Sequence, residues 1–115
     1  GLLGKEEAQE LQPAVAAAVE LGIDVTGPVP ADSVFNRAIG GEFDVVLALY
    51  HDQGHIAIKV HHFHQSTTAT LGIPFVRTSV DHGTAFDIAG KGQADPTGLA
   101  AAVDAAEAIV DGRLS

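Results

Sequence analysis

Five apolar side chains in a row follow Asp44 in the run Asp44-Val45-Val46-Leu47-Ala48-Leu49, and the run ends on the polar string Tyr50-His51-Asp52-Gln53-Gly54-His55-Ile56-Ala57-Ile58-Lys59. An unbroken apolar run of this length reads as a strand covered on both faces, the habit of sheets flanked by helices. In open α/β sheets the crevice outside the carboxyl ends of strands is the usual ligand site. The spacing after Tyr50 predicts a helix with His51, His55 and Lys59 four residues apart along one face. At about 1.5 Å rise per residue, His51 and Lys59 stand roughly 12 Å apart along its axis. A metal held near the first and an anion gripped by the flexible second would suit a short phosphorylated substrate.

The rest of the chain supports one modest α/β domain spanning residues 1–115, with 46% apolar residues to fill a core. An Ala-rich acidic stretch predicts a helix from Gln12, with Pro13 in its first turn, after a looser turn from Lys5; Gly22 stops it. Ile23 to Thr26 alternates like a short strand, and Gly27-Pro28-Val29-Pro30 cannot continue a helix. Asp32 or Ser33 is the expected cap of a helical turn through Phe35. The helix from His51 is expected to reach about Val60. Ser66 to Leu71 and Phe75 to Ser79 read as strands. A Gly-punctuated loop runs from Asp81 to Pro96, and a closing helix from Thr97 to Val110.

Charge and composition exclude several partners. Six Lys and Arg against fifteen Asp and Glu give a net charge of −9, which repels nucleic acid and anionic membrane surfaces alike. Any bound anion must be held locally. No apolar stretch approaches bilayer-spanning length and no secretory leader is evident, so the chain is expected to be soluble. The absence of Cys removes disulfides and cysteine-ligated zinc and accords with a cytoplasmic setting. A chain that starts Gly1-Leu2-Leu3-Gly4 and contains no Met reads as a processed product or a piece of something larger.

Five of six histidines fall between His51 and His64. His51 and His55 superficially match the H-E-x-x-H metalloprotease signature, but Asp52 is a shorter base than Glu and Gly54 weakens the helix. His61, His62 and His64 read as a solvated helix end. His51 is either a hydrogen-bonded core histidine or a metal ligand, since neutral imidazole suits both. Lys59 taken alone is an ordinary solvated cation. Arg77, inside an apolar strand, either pairs with a carboxylate of the chain or grips a phosphate or carboxylate with its planar fork. The loop Asp81 to Gly92 carries three glycines that let a ligand approach the backbone, but it is not a dinucleotide fingerprint.

Taken in order, Gly27-Pro28-Val29-Pro30-Ala31-Asp32-Ser33-Val34-Phe35, Tyr50-His51-Asp52-Gln53-Gly54, Lys59, and Thr70-Leu71-Gly72-Ile73-Pro74-Phe75-Val76-Arg77-Thr78-Ser79-Val80-Asp81-His82-Gly83-Thr84-Ala85 resemble the 4-hydroxythreonine-4-phosphate dehydrogenase family. His82 to Pro96 also resembles the adenosine-wrapping loop of isocitrate and isopropylmalate dehydrogenases. The resemblance implies the C-terminal part of a longer dehydrogenase of that fold, with helices packed on a mainly parallel or mixed sheet. It implies NAD-dependent, divalent-metal-assisted oxidation and β-decarboxylation of 4-phosphohydroxy-L-threonine, a step of pyridoxal phosphate biosynthesis, by a cytoplasmic homodimer.

By the same resemblance His51 is a metal ligand, and Lys59, Thr68 and Arg77 bind the small phosphorylated hydroxy-acid substrate. His82, Gly83, Thr84, Ala85 and Asp87 line the NAD pocket. Zinc fits histidine ligation, with magnesium, manganese and cobalt as alternatives. No catalytic acid or base is assigned. The further metal-ligating histidines of the family lie upstream of Gly1, so the metal set is incomplete here and the isolated chain is expected to be inactive. Thr68 stands where the family commonly has Asn, keeping a hydroxyl but losing the amide. With the Gly54-His55-Ile56 version of the metal helix, it points to D-erythronate 4-phosphate as the alternative substrate, beside a terephthalate dihydrodiol. The remaining alternative is a non-catalytic dimerisation module.

Overall fold

The structure, a computed structural model, describes residues 3–113. Contacts divide the chain into two compact units, Gly1–Leu49 and Tyr50–Ser115, where the composition suggests a single domain.

In the first unit, helix α1 spans Gln12–Glu20 and is preceded by a π-helical turn, Glu7–Leu11. Pro13 has no N–H to offer the carbonyl four residues back, and the chain widens by one residue just before it, with the Gln12 N–H donating to the Glu7 carbonyl. The looser first turn expected from Lys5 is this wide one. Gly22, at φ 81°, ends the helix. The Ile23 N–H reaches back to the Ala18 carbonyl at 3.1 Å, the closing bond of a left-handed glycine stop.

Helix α2, Ala31–Ile39, is longer than expected and is capped differently. Neither Asp32 nor Ser33 caps it through its side chain: Pro30 occupies the cap position, and the Ser33 hydroxyl donates to the Pro30 carbonyl at 3.3 Å. Val34, Ala38 and the neighbouring Phe35 supply the helical period that carries it past Phe35. From its last turn, Arg37 grips both carboxylate oxygens of Glu42, beyond the helix end, and lies 4.9 Å over the Phe43 ring. This guanidinium holds the Glu42 carboxyl below the usual carboxylate range.

Two expected strands of this unit do not form. Ile23–Thr26 and Asp44–Leu49 enter no ladder, although burial alternates over Val45–Leu49: Val46 and Ala48 are half-buried, while Val45, Leu47 and Leu49 are exposed. The physical reason is pairing. A strand covered on both faces needs neighbours along its edges to satisfy its N–H and C=O groups, and no strand lies among the described residues of this unit.

The second unit has the order α3 (His51–His62), β1 (Thr67–Ala69), β2 (Thr78–Val80) and α4 (Thr97–Val110). The strands pair antiparallel, with Thr67 opposite Val80, Thr68 opposite Ser79 and Ala69 opposite Thr78. No parallel ladder forms among the described residues; β1 keeps three residues of its predicted run, and β2 keeps two, Thr78 and Ser79, and adds Val80. Gly72, at φ 82°, with Pro74 turns the intervening segment away from the ladder. Helix α4 packs on both strands. Its Ala102, 2% exposed, is the one buried residue among the described residues, and its carbonyl accepts from the Thr78 hydroxyl at 2.7 Å. Asp95 caps α4, accepting from the Thr97 N–H at 2.9 Å and the Thr97 hydroxyl at 2.6 Å. These donors, with His64 nearby, hold its carboxyl below the usual range. Among the described residues, no helix is long and apolar enough to cross a membrane.

Candidate active site

Helix α3 starts at His51, after Tyr50 in extended conformation, and runs through Gly54 without a break. Its first turns realise the predicted face. The His51 and His55 rings stack with centroids 4.0 Å apart and planes 11° from parallel. Together with Lys59, Ile56, Val60 and Phe63 they line an open groove of about 460 Å³ along the helix. His51 is exposed, so the core-histidine alternative does not hold in this structure.

Hydrogen bonding assigns the two His51 nitrogens different tasks. Nδ1 lies 2.7 Å from Asp52 Oδ1; a carboxylate oxygen accepts, so Nδ1 donates, and in the neutral ring Nε2 is then the nitrogen with the lone pair. A histidine with one nitrogen donated to a carboxylate and the other open is arranged as metal-binding histidines usually are. His55 is arranged otherwise. Its Nδ1 is 3.2 Å from Asp81 Oδ1, and the Ser66 hydroxyl donates to Asp81 Oδ2 at 3.3 Å. Asp81 is only 10% exposed.

The near-parallel rings also bear on the protease signature. A metal lies close to the plane of each imidazole that binds it, at about 2.0–2.1 Å from nitrogen for zinc. Two parallel rings stacked face to face cannot both meet that condition with one ion. Among the described residues, no group of three His, Cys, Asp or Glu side chains is placed to hold a metal. His51 fits the role of one ligand in a set completed by other residues.

The remaining predicted residues lie apart from this groove. Arg77 lines a second groove of about 340 Å³ beside Thr70, Leu71, Phe75 and Ile109. Its Nη1 donates to the Thr70 hydroxyl at 2.9 Å, so its partner is a hydroxyl and not the carboxylate that an internal ion pair would require. Thr68 sits on β1 opposite Ser79 and lines neither groove. Lys59 and Arg77 therefore face different depressions. His82, Gly83, Thr84, Ala85 and Asp87 form one exposed stretch after β2. Ala85 adopts a left-handed φ of 50° and leads into a 3-10 turn, Phe86–Ile88; a Cβ on Gly83 would meet nothing within 4 Å.

At the far end of α3, His61, His62 and His64 are exposed, as expected. Asp81 and Ser66 are the site neighbours that sequence reasoning missed. A signal existed: Asp81 directly follows a strand, the same position that singled out His51.

Residues 1–106 match the family described as Pyridoxal phosphate biosynthetic protein PdxA. The chain belongs to this family. It is 57% identical over 104 residues to the 4-hydroxythreonine-4-phosphate dehydrogenase of Beijerinckia indica, covering 90% of this chain and 31% of that protein. It is 49% identical over 106 residues to the D-threonate 4-phosphate dehydrogenase of Pectobacterium atrosepticum, covering 92% of this chain and 32% of that protein. The crystal structure of the 4-hydroxythreonine-4-phosphate dehydrogenase from Klebsiella pneumoniae matches with a TM-score of 0.80 and 49% identity, over 92% of this chain and 32% of that one. The α/β fold of the PdxA family is thus present in part: the chain spans slightly under a third of the length of the curated relatives it matches.

Proposed function

We propose that the protein is an NAD-dependent dehydrogenase that, with a divalent metal, oxidises and decarboxylates a four-carbon hydroxy acid phosphorylated at its far end, 4-phosphohydroxy-L-threonine first among candidates. The observation that carries this reading is the single groove along α3 that holds His51 at one end and Lys59 toward the other. Roughly 12 Å of helix separates them, and the flexible Lys stem shortens the gap to the length of a small phosphorylated acid.

In this reading the chain's residues divide the work. His51 Nε2 binds the metal, whose chemistry is to polarise the substrate oxygen as a Lewis acid. Asp52 keeps the His51 proton on Nδ1. Lys59 neutralises the phosphate, and Arg77, with guanidinium donors beyond the one given to Thr70, adds a second grip when substrate draws the two grooves' ligands together. Thr68 offers a hydroxyl to the same substrate. The exposed stretch His82 to Asp87 takes the adenosine end of NAD, with the open backbone at Gly83 leaving room for it.

A second substrate, D-threonate 4-phosphate, is favoured by the name of the Pectobacterium relative. It carries a hydroxyl where the threonine derivative carries an ammonium, and Thr68 is able to hydrogen-bond to either. Initial rates of NAD reduction by the intact protein with 4-phosphohydroxy-L-threonine, D-threonate 4-phosphate, D-erythronate 4-phosphate and their dephosphorylated forms test both readings. We expect a phosphorylated acid to be preferred; a preference for dephosphorylated substrates would remove the role given to Lys59 and Arg77. The 115-residue stretch expressed by itself is expected to give no NAD reduction, because His51 alone does not complete a metal site; turnover above background would refute the shared site.

A further inference from the structure

We propose that His55 is a positioning residue for His51, and that Asp81 anchors it in that task. The proposal rests on the reading of His51 as a metal ligand. The His51 ring stands at an exposed helix terminus, 71% accessible, and its hydrogen-bond partner among the described residues, the adjacent Asp52, is 72% accessible. Asp52 selects the nitrogen that carries the proton, but a mobile surface carboxylate leaves the plane of the ring free to swing. The neighbour that defines this plane is His55, whose ring lies face to face with it at 4.0 Å and 11°.

His55 in turn has a rigid support. Asp81 directly follows β2, the strand packed beneath α4, and is nearly inaccessible. One of its oxygens lies 3.2 Å from His55 Nδ1, within ion-pair range, while the other accepts from the Ser66 hydroxyl at 3.3 Å. Order passes from the sheet through Asp81 to His55, and by the ring stack to His51. The parallel rings make His55 a support and not a second ligand, for the reason of geometry given above. Outer partners of metal-binding histidines typically matter by about 10–100-fold in metal affinity.

The test is cobalt(II) titration of the metal-free intact protein, followed by calorimetry and by the visible absorption of the bound ion, with thermal melting as the control for folding. We expect His55→Ala and Asp81→Ala each to weaken cobalt binding about 10–100-fold and to alter the visible spectrum, with melting showing each variant still folded at the titration temperature. The double variant is expected to lose no more than the worse single, because the two act as one unit. His55→Phe, which keeps a ring to stack but has no nitrogen for Asp81, is expected to recover part of the loss and serves where Asp81→Ala fails to fold. Unchanged affinity in His55→Ala, multiplying losses in the double variant, or a Phe variant as weak as Ala would each overturn the proposal. His51→Ala separates the layers. If it abolishes cobalt binding while His55→Ala and Asp81→Ala leave it intact, only the positioning role fails; if it leaves binding intact, the ligand reading and the positioning role fall together.

Discussion

The two ends of the histidine cluster on α3 share a residue type and differ in everything that makes a histidine useful. At the first end, His51 and His55 stack, each faces a carboxylate, and one of those carboxylates is nearly buried and held by a serine. At the other end, His61 and His62 meet edge to face at 5.7 Å, and His64 Nδ1 comes only within 3.7 Å of Asp95, a half-exposed carboxylate already occupied in capping α4. Density of histidines in the sequence therefore says little about chemistry. What separates the first end from the solvated one is the ring stack and the nearly buried Asp81 that His55 meets from outside the helix.

The sharpest way to break this contrast is substitution at both ends in the intact protein. His51→Ala is expected to lower metal-dependent NAD reduction by more than the roughly 10–100-fold typical of outer-partner losses, whereas replacing His61, His62 and His64 together by Ala leaves kcat and KM unchanged. A comparable loss at both ends would erase the distinction. Next in size is Lys59→Ala. Removing a charge-assisted bond worth about 1.5–3 kcal/mol should raise KM for the phosphorylated substrate by roughly 10–150-fold with little effect on cobalt affinity, and a changed cobalt affinity would mean that the groove is not divided between metal and anion.

The supports beneath each end differ too. Thr78→Val removes the hydroxyl that ties β2, and so the base of Asp81, to the Ala102 carbonyl; it should cost about 0.5–1.5 kcal/mol by chemical denaturation, against about ±0.5 kcal/mol for the triple histidine variant. Equal costs would contradict the view that only the first end is built into the core. The smallest effect is acidic. Because the Asp95 carboxyl is held below its usual range in the folded chain, its capping contribution is complete above the ordinary carboxylate range and fades as pH falls through the lowered folded value. Asp95→Asn should flatten that acid-side decline in melting temperature while leaving cobalt binding near neutrality as it was; an unaltered acid-side slope would show that the cap is not what titrates.

Helical elements were the most legible part of the chain. The i, i+4 spacing of His51, His55 and Lys59 specifies a shared face before any coordinates are known, and α4 spans the predicted Thr97–Val110. A helix satisfies its backbone internally, so its own residues carry nearly all the information needed to form it. Strands were less legible. Asp44–Leu49 and Ile23–Thr26 have the sequence pattern of strands, and Val45–Leu49 the alternating burial, yet neither joins a ladder, because a strand is completed only by a neighbour. Asp81 escaped notice for a related reason: thirty positions of sequence separate it from the α3 terminus that it supports, and no local period connects them.

What the sequence determined unaided is the family, through ordered segments spread over most of the chain, and the single face of α3 on which an imidazole and an ammonium are presented together. Tertiary structure decided which histidines acquire partners, that Lys59 and Arg77 line separate grooves, and which apolar runs find a strand to pair with. The division follows from range. Helical geometry is a property of neighbouring residues, whereas the seating of a side chain and the edge of a strand depend on groups that only the folded chain brings near.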